Sequence, residues 1–151
     1  MKISTKGRYG LLALVDLAIH GKEEHVALAH IAERQGISVQ YLEQVFATLR
    51  KAGILKSVKG SKGGYTLGIK AEELTTADVL RALEGELSIM ESIKTDHQNP
   101  SDYYSQAICC CLWEPLDALT LKHLQSVTIA DLVEKAERLG SKSRNQDMFY
   151  I

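Results

Sequence analysis

Apolar residues fall at helical spacing in short blocks, and a glycine closes most of them. In residues 9–20, Leu11, Leu12, Leu14, Val15, Leu17, Ala18 and Ile19 predict a buried helix, opened by Ser4 or Thr5 and stopped by Gly21. Leu28, Ile31 and Ala32 line one face of a second, short helix. Gly36 follows and supplies a sharp turn, because glycine takes positive φ without penalty. Ser38 is placed to cap a third helix, on which Leu42, Val45, Phe46 and Leu49 repeat at i, i+3, i+4 and i+7 and turn inward. The opposite face carries Gln40, Gln44, Ala47 and Lys51, flanked by Glu43 and Thr48. Residues 54–59 and 65–67 predict two short strands, turned by Gly60, Ser61, Lys62, Gly63 and Gly64.

Further along, Thr75 and Asp78 form a capping-box pattern for a helix over 76–84 that Gly85 ends. Residues 94–102 read as a polar loop. Residues 103–126 read as a long helix with Ile108, Leu112, Leu116, Leu119 and Leu124 on one side. Pro115 lies inside it. Its missing N–H, and the push of its ring on the Cys111 carbonyl, predict a kink or break over 111–115. Thr128 with Asp131 caps a last helix carrying Leu132, Val133, Ala136 and Leu139 and ending at Gly140. Residues 141–147 form a polar tether, and the final four residues are apolar.

Helix, tight turn, helix and basic hairpin make a mainly α fold, a winged helix-turn-helix with a small β-hairpin wing. Such a unit places one helix in the DNA major groove and the hairpin against the backbone. The expected organisation is a DNA-binding domain over 1–90, dimerisation helices over 91–140 and a flexible C-terminal tail over 141–151. The long helix carries more apolar surface than a chain of 151 residues covers alone, so it is expected to form a homodimer interface.

The formal net charge of −1 conceals a gradient. Residues 1–70 hold eleven Lys and Arg against five Asp and Glu, +6; residues 71–151 hold seven against fourteen, −7. A basic first half suits phosphate contact, and an acidic second half suits dimerisation or effector binding. No run is long and apolar enough to span a bilayer and no signal-peptide pattern opens the chain, so a cytoplasmic protein is expected.

The outward face of the third helix has the chemistry of base recognition. Glutamine can pair with adenine in two bonds, a carboxylate can accept from cytosine N4, and an alanine methyl can touch thymine. Simple hydration of that face is the alternative. Lys2, Lys6 and Arg8 sit at or before the first turn of the first helix, where they oppose its dipole; a nearby phosphate or plain solvation would account for them. Lys56, Lys59 and Lys62 charge the hairpin, and its paired glycines let backbone amides approach phosphate. A nucleotide-binding loop would need Gly-Lys-Ser or Gly-Lys-Thr, but Gly63 follows Lys62. No nucleophile elbow or zinc spacing occurs either, so no enzyme is expected.

The three cysteines, Cys109, Cys110 and Cys111, are consecutive. Neighbours on a helix point about 100° apart, so they do not converge on one iron–sulfur cluster without unwinding. They can be small apolar side chains in a helix interface, a redox-sensing thiol or cluster ligands. No cofactor is expected, with an iron–sulfur cluster as the alternative.

The opening MKISTKGRYG, the segment QYLEQVFATLRKAG and the wing SVKGSKGGYTLG resemble the Rrf family of winged-helix transcriptional regulators. The likeness is dense over residues 1–90 and looser through ALEG, LWEPLDAL and VTIADL. It implies a homodimeric bacterial regulator of transcription with a long cross-dimer helix. By position it implies Gln40, Glu43 and Gln44 as base readers and Lys59 as the wing residue entering the minor groove. Lys6, Arg8, Tyr9, Lys56 and Lys62 become backbone contacts, and Ser38 joins the DNA-facing set. The cluster-binding branch of the family carries three spaced cysteines and a histidine before or within the long helix. Here residues 94–106 hold no cysteine, and His97 is the one histidine nearby upstream.

The branch of cysteine-metabolism repressors lacks those ligands and is similar to this chain at its end. It implies that Met148, Phe149, Tyr150 and Ile151 dock on cysteine synthase (O-acetylserine thiol-lyase); the alternative is a tail packed back on its own dimer. The expected function is therefore a dimeric, sequence-specific repressor of cysteine and sulfur genes controlled by that enzyme complex. The alternatives are an iron–sulfur or thiol sensor of the same family, and a protein-interaction module that does not bind DNA. Operator sequence, direct small-molecule control and activation versus repression stay open.

Overall fold

Ser4 opens the first helix, its hydroxyl accepting from the Gly7 N–H. In the computed structural model, which describes residues 2–90 and 103–149, this helix α1 spans Thr5–His20 and stops at Gly21. Helix α2 (Leu28–Gln35) and helix α3 (Val39–Lys51) meet at Gly36, whose φ of 64° lies in the left-handed region where side chains are strained. Strands β1 (Leu55–Val58) and β2 (Gly64–Leu67) pair antiparallel, from Leu55 opposite Leu67 to Val58 opposite Gly64. Helix α4 (Thr76–Glu84) has the expected capping box at Thr75 and Asp78. After the polar segment 94–102, which lies outside the described residues, come α5 (Tyr103–Ile108), a π-helical turn (Cys109–Trp113), α6 (Glu114–Ser126) and α7 (Ile129–Met148).

The core lies where α1, α2 and α3 cross. Leu14, Leu17, Ile31, Leu42, Phe46 and Leu49 are all fully buried there. Each such side chain contributes about 1.5–3 kcal/mol of transfer free energy. Gly7 and Gly10 let α4 approach α1 closely; a Cβ at Gly10 would run into the Leu83 side chain. The Glu84 carboxylate at the end of α4 reaches the open start of α1. It accepts from the Ser4 N–H at 2.9 Å, the Ser4 hydroxyl at 2.6 Å and the Gly7 N–H at 3.1 Å. The positive end of the α1 dipole therefore has an internal anion. The cations Lys2, Lys6 and Arg8 do not by themselves call for an external one.

The second half corrects three expectations. Gly140 does not end the last helix and residues 141–147 are not a tether, because α7 runs on to Met148. Gly140 does not adopt positive φ, so it forms no left-handed stop, and no proline follows it. Ser141 and Arg144 instead bond back to the carbonyls of Glu137 and Gly140 one turn earlier. Ile129 and Val133 are buried in the main core, so the start of α7 is part of the N-terminal unit. Leu124 does not share the outer stripe of the long helix; with Leu121 it packs on Ala77, Leu80 and Leu87. The disturbance expected over 111–115 is the π turn: the Glu114 N–H donates to the Cys109 carbonyl, five residues back. That shift passes the ladder around Pro115 without stopping the helix. Ile108, Leu112, Leu116 and Leu119 remain exposed along it. A cleft of about 650 Å³ between α1 and α7, lined by Leu11, Leu12, Val15, Ile19, Leu132 and Leu139, is a second uncovered apolar surface.

Asp16 is a buried carboxylate on α1 that joins α1 to α2. Arg34 donates to it from Nη2 at 2.6 Å and from Nε at 3.0 Å, and Gln35 donates at 2.8 Å. Burial pushes the Asp16 carboxyl up. The hydrogen bonds from Arg34 and Gln35, with the charges of Arg34 and His20, outweigh it and hold the group below its ordinary value. Asp16→Asn is expected to cost about 3 kcal/mol at pH 7, the low end for a buried pair because Arg34 is partly exposed. A group that ionises more readily folded than unfolded stabilises fully above its unfolded value, about 3.9, and loses that contribution as pH falls through its lower folded value. The gap between wild type and Asp16→Asn, read from urea midpoints, should therefore narrow below about pH 4.

Candidate nucleic-acid interface

Burying one face of α3 decides what the other face presents. Leu42, Val45, Phe46 and Leu49 are sealed in the core, so Gln40, Glu43 and Gln44 stand exposed on the outer side, as does Lys51. Ala47 and Thr48 are half-buried at the margin, and Thr48 is turned back to the Gln44 carbonyl at 3.1 Å. Ser38 caps the helix by accepting from the Tyr41 N–H at 3.2 Å. That bond aims the first turn of α3, where the glutamines begin. Acceptors and donors on adjacent turns of an exposed helix can read base edges.

The wing is anchored to the same helix. The Tyr65 ring of β2 meets the Phe46 ring of α3 edge-on, with centroids 5.0 Å apart. Arg50, at the last turn of α3, donates to the Ser57 hydroxyl of β1 at 3.2 Å. Val26 extends the hairpin by one bridge, exchanging backbone bonds of 3.0 and 2.9 Å with Tyr65. Lys56 and Lys59 are exposed along the hairpin. Lys62, at its tip, is also exposed, but it borders a cleft with Glu23, Glu24, His25 and His30, so its surroundings are mixed in charge.

The start of α1 adjoins the start of α3 through Tyr9 and Tyr41, whose rings meet edge-on at 5.8 Å. Arg8 is exposed and donates to the Thr5 hydroxyl at 3.3 Å, while Lys6 is half-buried. The structure thus gathers Tyr9, Ser38 and the glutamine face around one α1–α3 contact, and ties the hairpin to α3 by a separate ring pair. Sequence reasoning missed Arg50 as an exposed cation between helix and wing. Its signal was the Arg50-Lys51 pair in the last turn, where only Lys51 was placed on the outer face. Met148 and Phe149 are largely exposed at the end of α7, and Tyr150 and Ile151 lie outside the described residues.

The cysteines lie away from these groups. Cys109 is half-buried, with its thiol donating to a Glu114 carboxylate oxygen at 3.7 Å, and Cys110 and Cys111 are exposed. Among the described residues, no group of three His, Cys, Asp or Glu side chains converges to hold a metal ion. Among the same residues, no helix is long and apolar enough to cross a membrane.

Residues 3–135 match the Rrf2 family, described as an iron-dependent transcriptional regulator. The chain is 40% identical over 138 residues to protein rrf2 of Nitratidesulfovibrio vulgaris, covering 90% of this chain and 89% of that one. It superposes on CymR, the global cysteine regulator of B. subtilis, with a TM-score of 0.75 and 36% identity, over 89% of this chain and 98% of that one. On IscR of T. potens the TM-score is 0.70 at 39% identity, over 92% of this chain and 90% of that one.

The wing's attachment can be tested directly. A Cβ at Gly64 would press on the Val26 carbonyl, a backbone atom that cannot swing aside. Gly64→Ala should break the Val26–Tyr65 bridge, cost about 1–3 kcal/mol and speed amide hydrogen exchange at Val26 and Tyr65.

Proposed function

The chain belongs to the Rrf2 family of transcriptional regulators, and from that premise we propose that it binds double-stranded DNA as a homodimer and represses genes of cysteine and sulfur metabolism. It is a regulator of transcription, not an enzyme. The observation that carries the DNA reading is the division of α3 into a sealed face and an exposed Gln40, Glu43 and Gln44 face, tied to the wing by Phe46 and Tyr65. In this reading Gln40, Glu43 and Gln44, preceded by Ser38, meet base edges. Lys59 enters the minor groove, and Lys6, Arg8, Tyr9, Lys56 and Lys62 contact the sugar-phosphate strands. The second copy covers the exposed stripe of Ile108, Leu112, Leu116 and Leu119, which a lone chain leaves in water.

Control is assigned to complex formation with cysteine synthase. Two observations support this: the likeness to a structure described as a global cysteine regulator, and the exposure of Met148 and Phe149 at the end of α7. Tyr150 and Ile151 complete the proposed contact.

The family description and the likeness to IscR favour a second reading, an iron-linked sensor. This chain's residues do not fit a bound iron–sulfur cluster. Its only thiols are three neighbours on one helical turn, where side chains diverge, whereas cluster ligands are spaced cysteines.

Binding to a palindromic promoter fragment, followed by fluorescence anisotropy across a salt series, tests the DNA reading. Gln44→Ala should lose about 1–3 kcal/mol of discrimination at one base-pair position and keep the salt slope. Lys56→Ala, at a proposed phosphate contact, should weaken binding to all sequences and lower the slope by about one. Affinity that does not change with salt would sink the proposal, because phosphate contacts release counterions. For the enzyme link, replacing Met148, Phe149, Tyr150 and Ile151 by alanine should abolish co-elution with cysteine synthase while the dimer stays folded; co-elution that persists refutes it.

A further inference from the structure

We propose that Cys110 and Cys111 form a peroxide-responsive thiol pair, whose oxidation to a disulfide opens the π turn of the long helix. The inference rests on the regulator reading for its output, but its chemistry stands on the geometry of residues 108–116. Cys110 and Cys111 are exposed, whereas Cys109 is half-buried and engaged as a donor to Glu114. Cys110 lies two residues from both Ile108 and Leu112, about half a turn from the apolar stripe. It stays reachable when a second copy covers that stripe.

The chemistry balances with a hydroperoxide as oxidant. The Cys110 sulfur attacks the peroxide; an S–O bond forms, the O–O bond breaks, and an alcohol or water leaves with the proton. The Cys111 sulfur then attacks the sulfenic sulfur; an S–S bond forms, the S–O bond breaks, and water leaves with the second thiol's proton. The two thiols lose two electrons and the peroxide gains them.

The backbone makes this reaction a conformational event. Cα atoms of adjacent residues are about 3.8 Å apart, shorter than the roughly 4.4–6.8 Å a disulfide prefers. On a helical turn the two sulfurs also point apart. A Cys110–Cys111 bond therefore requires the local helix to unwind. The π turn is where that costs least. The Glu114 N–H is already shifted to the Cys109 carbonyl, and Pro115 has no N–H to offer. Opening the turn bends the helix that carries the proposed dimer stripe, which changes the spacing of the two reading heads.

The test uses the full-length protein, reduced or treated with stoichiometric hydrogen peroxide, with peptide mass mapping, circular dichroism and anisotropy on the promoter fragment. Support is a peptide containing Cys110 linked to Cys111, some loss of helix signal and about tenfold weaker DNA binding, all reversed by dithiothreitol. Cys110→Ser should abolish this response and Cys109→Ser should keep it. A disulfide between two chains, oxidation that dithiothreitol does not reverse, unchanged affinity once the bond has formed, or a brown iron-loaded protein from anaerobic purification overturns the proposal. Failure of the reduced protein to bind DNA removes the regulator reading instead, and the peptide masses then still decide whether the pair forms.

Discussion

Helix α3 has one rotational setting that buries Leu42, Val45, Phe46 and Leu49 together, and the rest of the molecule is arranged around that setting. Turning the helix by one residue, about 100°, would bring glutamine amides into the core and leucines into water. No local compensation offsets that loss, so the direction of the polar face follows from the packing of the apolar one. The same Phe46 that seals the core touches the wing through Tyr65. One side chain thus couples core density to the placement of the lysine-bearing hairpin.

Two carboxylates tune this frame from inside. Asp16 joins α1 to the end of α2 just before the Gly36 turn, which limits how the helix-turn-helix can open. Glu84 holds the start of α1 against the end of α4, so the region of Lys6, Arg8 and Tyr9 is referenced to α4. The C-terminal half is itself pinned beside α4. The Ile129 N–H donates to the Leu74 carbonyl, the Thr76 N–H to the Val127 carbonyl, and the Thr76 hydroxyl to the Leu124 carbonyl. A bend in the long helix would therefore reach the start of α1 through a short series of packed and bonded contacts. Such a route supplies connection; a two-state element, here proposed at the π turn, would supply the switch.

Family membership leaves the sensor open, since the family is described as iron-dependent while a structure of the same outline is described as a global cysteine regulator. A winged helix-turn-helix fixes how DNA is approached and says little about what adjusts it. The adjusting chemistry must come from side chains particular to the chain. The groups proposed for that role are the three neighbouring thiols and the apolar residues at the end of α7.

The local elements were legible in the sequence because short-range chemistry sets them: Ser38 and Thr75 as caps, Gly36 as a left-handed turn, and the i, i+3, i+4 spacing of α3. The outward set of Gln40, Glu43 and Gln44 follows from the same period. Tertiary structure alone decided where α7 ends. Glycine is only a permissive residue, and Gly140 takes helical φ and ψ when the next turn can bond back to it. It alone gave Leu124 an inward partner, turned the strain at Pro115 into a π turn, and supplied the α1 terminus with Glu84 from eighty residues away. Each of these depends on a group distant in sequence or on competition between neighbouring backbone bonds. Spacing along a single chain carries no record of either.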